Sequence, residues 1–306
     1  MISETIKQRL ATIEQLPSPL NTMLKDLPIE QLGYFSSTQV DDMCQAMTIS
    51  RAELGLVLLP LASSFAVAPV SNFHVGAVAF DSAGNAYLGA NFEFAGNHIG
   101  QTIHAEQSAI AHMWQRGATE LALLVINYAP CGHCRQFINE VNIADKILRQ
   151  ADDENSHCQQ DSVDTVDMAH AQAIHAHDHC HAPYSGNKCG IALEYAIEDT
   201  EKEDNTEIVT GRYAENAAYN PSLPALQVAL NFRRMQGKDW QNIKRVVMVE
   251  TTTNFSQVEN TRSLLASINQ STNQDIPIEW YKGSANQSYL YNLQTHAIIS
   301  VKTKHT

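Results

Sequence analysis

The spacing of apolar residues changes along the chain, and each change predicts an element. The opening run "MISETIKQRLATIEQL" places apolar residues on one helical face. Residues 1 to about 50 read as helical, punctuated by "SPL", "LPIEQLG" and "SSTQVDD". A second helix, "SRAELGLVLLPLASSFA", is apolar enough to be buried. "NFHVGAVAF" and "AYLGANF" flank "DSAGN", two β-prone runs joined by turn residues, which predicts a hairpin. A helix from about Ile103 to Gln115 is closed by Gly117, "LALLVINY" reads as a buried strand, and "CRQFINEVNIADKIL" starts another helix. The order β-β-α-β-α predicts an α/β domain, a sheet with helices packed on its faces.

From about 149 to 170 the chain turns polar and reads as a linker, and then the first pattern returns in weaker form. "APVSNFHVGAVAF" is matched by "APYSGNKCGIALEY", "GANFEFAG" by "GRYAENAA", and "HAEQSAIAHMWQRG" by "PALQVALNFRRMQG", with the strand "RVVMVE" following. Matches in one order imply two copies of one fold. The expected division is a helical region at 1–50, a first α/β copy at 51–148, a polar His-rich linker and helix at 149–180, and a second copy at 181–306. The copies differ at two polar positions: His104 and Glu106 fall opposite Pro224 and Leu226. Nothing like P-C-x-x-C follows Val249, so the second copy keeps the scaffold and lacks the chemistry.

Length and composition narrow the function. With 306 residues, 44% hydrophobic and 17% charged, the chain is globular and long enough for two domains. The formal charge of −13 argues against nucleic acid, which needs a cationic surface, and favours a small neutral substrate. No apolar run approaches the roughly 18 residues of a membrane span, and the acidic start has no apolar signal core, so a cytoplasmic protein is expected. The six cysteines form no dense disulfide framework, but Cys131 and Cys134 stand in C-x-x-C spacing, which in a reducing compartment means metal or redox chemistry.

His104 and Glu106 lie two apart where a helix is about to begin. Helix positions i and i+2 do not face each other, so the pair makes sense only where the chain turns into the helix. Cys131 and Cys134 sit one turn apart at another helix start, where the helix N-terminus lowers the cost of holding thiolates. Two thiolates and an imidazole select zinc, and three protein ligands leave a fourth position open, the pattern of a catalytic site. Glu106 would then carry protons. A structural zinc using His133 or Cys189 as a fourth ligand, and a redox dithiol, are the alternatives at this point. The full order, H-A-E followed by P-C-x-x-C, is the signature of zinc nucleobase deaminases.

"HAEQSAI", "PCGHCRQF", "SNFHVGA" and "GANFEF" together resemble cytidine deaminase, in its long homodimeric form with a degenerate second copy. The resemblance covers nearly the whole chain. It implies a five-stranded mixed sheet in a three-layer α/β/α sandwich, duplicated in tandem, with a small N-terminal helical domain. It also implies hydrolytic deamination of cytidine and 2′-deoxycytidine. On the matching positions, His104, Cys131 and Cys134 would bind one Zn²⁺ per subunit and Glu106 would shuttle the protons. Asn91 and Glu93 would hold the ribose 3′-hydroxyl, Phe73 would stack on the pyrimidine, the backbone of Ala105 and Cys131 would meet the base edge, and Tyr128 would line the pocket. The active site would lie near the partner subunit, with Tyr219, Asn220 and Pro221 as candidate contacts.

Six of the 13 histidines fall between 157 and 181, outside the family pattern. They read as a solvated segment, or as a weak accessory metal site through i,i+4 pairs such as His175 and His179. Two functions compete with the nucleoside reading: a deaminase of a free base, nucleotide or polynucleotide, and a non-catalytic zinc protein.

Overall fold

In the computed structural model, residues 4–118, 120–143, 167–197, 206–251, 253–273, 275–282, 289–292 and 297–300 are described. The chain divides into two compact units: Met1–Asp152 with Asn231–Asp239, and Asp153–Leu230 with Trp240–Thr306.

The first unit opens with helices α1 (Glu4–Gln15) and α2 (Leu20–Lys25), a short strand β1 (Tyr34–Phe35), and helices α3 (Ser37–Met47) and α4 (Arg51–Ser63). Ser36 and Ser50 start α3 and α4 with reciprocal caps, the serine side chain taking the third residue's N–H and that residue's side chain taking the serine N–H. Strands β2 (Gly76–Asp81) and β3 (Ala86–Ala90) form the expected hairpin, closed by Asp81 Oδ1, which accepts from Asn85 N at 2.8 Å, and by Gly84 at φ +91°. Helix α5 (Ala105–Gln115), strand β4 (Leu121–Ile126) and helix α6 (Gly132–Ile143) follow. One core joins Leu20, Leu24, Phe35, Val40, Leu54 and Leu58 to Phe80, Leu88 and Val125, so the N-terminal helices share the apolar face of this sheet.

The second unit holds α7 (Met168–Asp178), β5 (Cys189–Ala196), β6 (Thr206–Arg212), α8 (Ala225–Met235), β7 (Ile243–Glu250), α9 (Val258–Thr272), β8 (Ile278–Lys282), β9 (Tyr289–Asn292) and β10 (Ala297–Ser300), the last turn of α8 clustering with the first unit. Helix α7 is buried along Ala169, Ala173, Ala176 and His177. Inside this unit Arg245 on β7 ties together Asp167, Glu194 and Glu279 at 2.7–2.9 Å.

The expected five-stranded mixed sheet needs correction. Among the described residues the first sheet has four strands, in the order β1-β3-β2-β4, all antiparallel. The second has six, in the order β10-β9-β8-β7-β5-β6, and is mixed because β7 and β8 run parallel. Tyr34–Phe35, inside the stretch of about 1–50 read from the sequence as helical, pairs with the outer edge of β3 and adds a strand; the C-terminal hairpin β9–β10 extends the other sheet. Residues 144–166, which hold most of the expected linker, lie outside the described residues.

The repeat is exact to the residue where a helix crosses a strand. A Cβ on Gly89 would meet Ala109 N at 2.2 Å, and one on Gly211 would meet Ala229 N at 2.6 Å; Ala109 and Ala229 are matched in the two copies. Helix α5 rests on β3 only because no side chain intervenes. Replacing Gly89 with alanine is expected to force the two apart and to cost about 1–3 kcal/mol, read as a lowered melting temperature with far-UV circular dichroism unchanged at about 25 °C.

Candidate active site and metal centre

Past the end of β3 the chain leaves the sheet at Asn91 and forms an irregular double bridge. Phe92 exchanges hydrogen bonds with Ile103, at 2.8 and 2.9 Å, and Val67 N donates to Asn91 O at 3.1 Å while Glu93 N donates to Val67 O at 2.8 Å. This brings Asn91 and Glu93 beside Ile103, and the next residue, His104, is the N-cap of α5 in extended conformation. Gln107 Oε1 accepts from His104 N at 3.2 Å and fixes that entry. His104 therefore stands outside the helix while Glu106, only 6% exposed, lies in its first turn, which resolves how residues two apart can serve one site.

Cys131 closes the start of α6: its carbonyl accepts from Arg135 N at 2.9 Å and its Sγ accepts from Cys134 N at 3.4 Å. Cys131 is exposed and Cys134 fully buried. Burial, then the nearby Glu106 carboxylate and Cys131, push the Cys134 thiol far above its usual range. The ligand atoms of His104, Cys131 and Cys134 all lie within 4.8 Å of one another, the one such group of three found among the described residues. His104 Nδ1 and Cys131 Sγ are 3.6 Å apart, against about 3.6 Å for a tetrahedral zinc with Zn–S near 2.3 Å and Zn–N near 2.0–2.1 Å. The residues present fit the metal. His133 stacks on the His104 ring at 5.1 Å, and Cys189 lies on β5 of the other unit, so neither joins the group.

A cavity of ≈ 320 Å³ opens over this group, within the usual range for small-molecule sites. Phe73, Asn91, Glu93, His104, Ala105, Glu106, Tyr128 and Cys131 all line it. Phe73 and Tyr128 are about half exposed and lean on each other at its edge, ring centroids 4.6 Å apart. Asn91 spans the loop before β2: its Nδ2 donates to Phe73 O at 2.8 Å and its Oδ1 accepts from Val75 N at 2.9 Å. Glu93 accepts from Val70 N and Ser71 N, both at 3.0 Å, and from Ser71 Oγ. Burial works to raise the Glu93 carboxyl, but these hydrogen bonds, with His74 nearby, outweigh it and hold it below the usual carboxylate range.

Ser71 was not singled out from the sequence, although a signal for it exists. The matched stretch keeps a serine, Ser185, and a glutamate, Glu215, and Glu215 Oε2 accepts from Tyr184 N at 2.8 Å and Ser185 N at 3.1 Å in the same arrangement. Asn187, opposite Phe73, donates to Glu250 Oε1 at 3.1 Å, and Glu250 also accepts from Ser256 Oγ and Gln257 N. As for the histidine cluster, His157 lies outside the described residues. His175 and His179 stack at 4.1 Å, but His179 Nδ1 is 2.8 Å from His175 O, and both ring nitrogens of His177 are engaged by Asp178 and Thr251.

Comparison with known proteins agrees with the chemistry. The family description "cytidine and deoxycytidylate deaminase zinc-binding region" matches the chain twice, over residues 52–149 and 136–262. A cytidine deaminase of Aliivibrio fischeri is 38% identical, covering 90% of this chain and 98% of that protein. One of Pasteurella multocida is 37% identical, covering 91% and 99%, and one of Haemophilus influenzae 39%, covering 81% and 89%. With two zinc-binding deaminase regions in tandem and a His-Cys-Cys donor group in the first, the chain belongs to the cytidine deaminase family, hydrolases that act on cyclic amidines.

Proposed function

We propose that this protein converts cytidine and 2′-deoxycytidine, with one water, to uridine and 2′-deoxyuridine and ammonia, as a step of pyrimidine salvage in the cytoplasm. The observation that carries the proposal is the placement of Glu106 beside a three-donor metal group at the base of a cavity edged by two half-exposed aromatic rings. His104, Cys131 and Cys134 would hold the zinc. When bound, the metal supplies Lewis acidity that makes water nucleophilic near neutral pH.

The chain's own residues do the rest. Glu106 accepts one proton of the attacking water and delivers it to N3 of the ring so that C4 becomes electrophilic; it then takes the second from the hydroxyl added at C4, as the carbonyl forms, and hands it to the departing amine. Its burial excludes bulk water from these transfers. The backbone of Ala105 and Cys131 meets the base edge, while Phe73 and Tyr128 part to receive the pyrimidine between apolar surfaces. The second hydrogen of Asn91 Nδ2 and the Glu93 carboxylate take the 3′-hydroxyl. Asn91 already braces the loop that carries Phe73, so the base platform and the sugar contact share one support.

Among the described residues no Lys or Arg lines the cavity, which favours a nucleoside over a nucleotide. Val70 and Ile99 are 62% and 78% exposed on segments flanking Glu93, apolar surface that a partner subunit would cover in a homodimer; Tyr219, the candidate contact of the second copy, is 54% exposed. No single helix among the described residues is long and apolar enough to cross a membrane.

The test follows the ultraviolet absorbance of cytidine with purified protein, before and after zinc removal and restoration. Conversion that stops with chelation and returns with zinc, with ammonia released, is the expected result. Zinc-loaded protein that leaves both nucleosides untouched overturns the proposal.

A further inference from the structure

We infer that Arg234, at the end of α8, is a positioning residue that holds the sugar-binding edge of the pocket in register. The inference rests on reading Asn91 and Glu93 as the pair that takes the 3′-hydroxyl. In sequence α8 belongs to the second copy, but Asn231–Asp239 fall in the first unit, and there Arg234 is 2% exposed.

Its guanidinium touches three segments that carry the sugar-binding edge of the pocket: the stretch leading to Val67, the end of β3 and the first turn of α5. Nη1 donates to Phe65 O, two residues before Val67, whose N–H and carbonyl fix Asn91 and Glu93. Nη2 donates to Ala90 O at 2.8 Å, the residue next to Asn91. Nη2 also lies 3.3 Å from Ser108 Oγ, and Ser108 N donates to His104 O at 2.8 Å in the first turn of α5. The planar group packs over the Phe92 ring, 4.6 Å from its centroid, between Asn91 and Glu93. Asn231 completes the arrangement: its Oδ1 accepts from Arg234 Nη2 at 2.9 Å and from Ser108 Oγ at 2.7 Å, and its Nδ2 donates to Ser108 O at 3.1 Å.

None of these acceptors is a carboxylate. Burial, with the Arg9 guanidinium nearby, lowers the Arg234 pKa to about 9, so the group stays charged at neutral pH and costs desolvation that no ion pair among the described residues offsets. A buried charge of this kind is poor cement. Its value lies in rigid, forked geometry: one plane fixes three strands of chain that a hydrophobic side chain would let slide. The repeat scaffold does not need it either, since the matched positions of α5 are Ala111 and Trp114 where α8 has Asn231 and Arg234.

The experiment compares kcat/KM for cytidine and 3′-deoxycytidine in wild type, R234M and R234K, with zinc content and melting temperature measured alongside. Wild type prefers cytidine. In R234M, zinc remains bound and the preference falls about 10-fold, short of the about 10²-fold that a 1 Å misplacement can cost; R234K, with the charge but not the fork, restores part of it. A merely structural role would lower activity toward both substrates equally and leave the ratio alone. If R234M does not fold, R234K decides by the same ratio. A wild-type preference that survives undiminished in the folded variants overturns the role of Arg234 alone. A wild type without preference overturns the Asn91–Glu93 reading, and this inference with it.

Discussion

Replacing Glu106 with glutamine abolishes turnover while leaving one zinc per chain. Glutamine matches glutamate in size, so the first turn of α5 and the wall of the cavity keep their shape, but the amide can neither accept the proton of the attacking water nor return one. A single positioned acid or base contributes about 10²–10⁴-fold. Glu106 is asked to act at both the ring nitrogen and the leaving amine, which places the loss at the upper end, about 10⁴-fold in kcat. Its 6% exposure leaves little room for a solvent water to take over the transfer. The melting temperature should change little, because the lost interaction of a carboxylate with the helix N-terminus amounts to about 0.3–1 kcal/mol. Steady-state rates, zinc content and a melting curve on the same preparation check this. A variant within about 10-fold of wild type would mean that Glu106 is not the proton carrier. The centre would then be read as a structural zinc, which has no use for that carboxylate.

The parts of this site that were legible in the sequence are those whose geometry is local. His104 and Glu106 straddle a helix start, Cys131 and Cys134 share another, and both arrangements follow from a turn's worth of chain. The hairpin that delivers Asn91 and Glu93 was equally plain, because alternation and the D-S-A-G-N turn signal are also local. What stayed hidden is contact across sequence distance. Tyr34–Phe35 is too short to show a period, yet its pairing with β3 changes the strand count of the first sheet. Ser71 reaches Glu93 across 22 positions through hydrogen bonds that leave no periodic trace; only the recurrence of Ser185 with Glu215 betrays it. Arg234 reaches Ala90 across 144 positions, and in the sequence it is one more cation in the last turn of an amphipathic helix. Helix α7 buries four positions against its sheet, but its histidines disguised that face as a polar stretch. Periodicity tells which face is covered, and it does not tell which long polar side chain crosses the core.

Replacing Cys134 with alanine removes zinc and activity together. Cys134 is the donor that solvent cannot replace: it is fully buried, whereas Cys131 is exposed and water can approach its position. Loss of a partner that merely orients a metal ligand costs about 10- to 100-fold in affinity, and loss of a ligand itself from a set of three exceeds that. The second reading comes from stability. A metal that binds only the folded chain stabilises it by mass action, about 4 kcal/mol at a thousandfold excess over Kd, so the wild type should melt lower once a chelator has stripped its zinc. The alanine variant should melt near the stripped wild type and should not respond to chelator at all. That pairing separates loss of metal from loss of fold: a variant that failed only because a buried thiol left a cavity would melt below the stripped protein, yet still bind zinc and deaminate at low temperature. An alanine variant that keeps stoichiometric zinc and turnover would remove Cys134 from the metal centre, and the placement of its sulfur within 4.8 Å of the other two donors would then need another explanation.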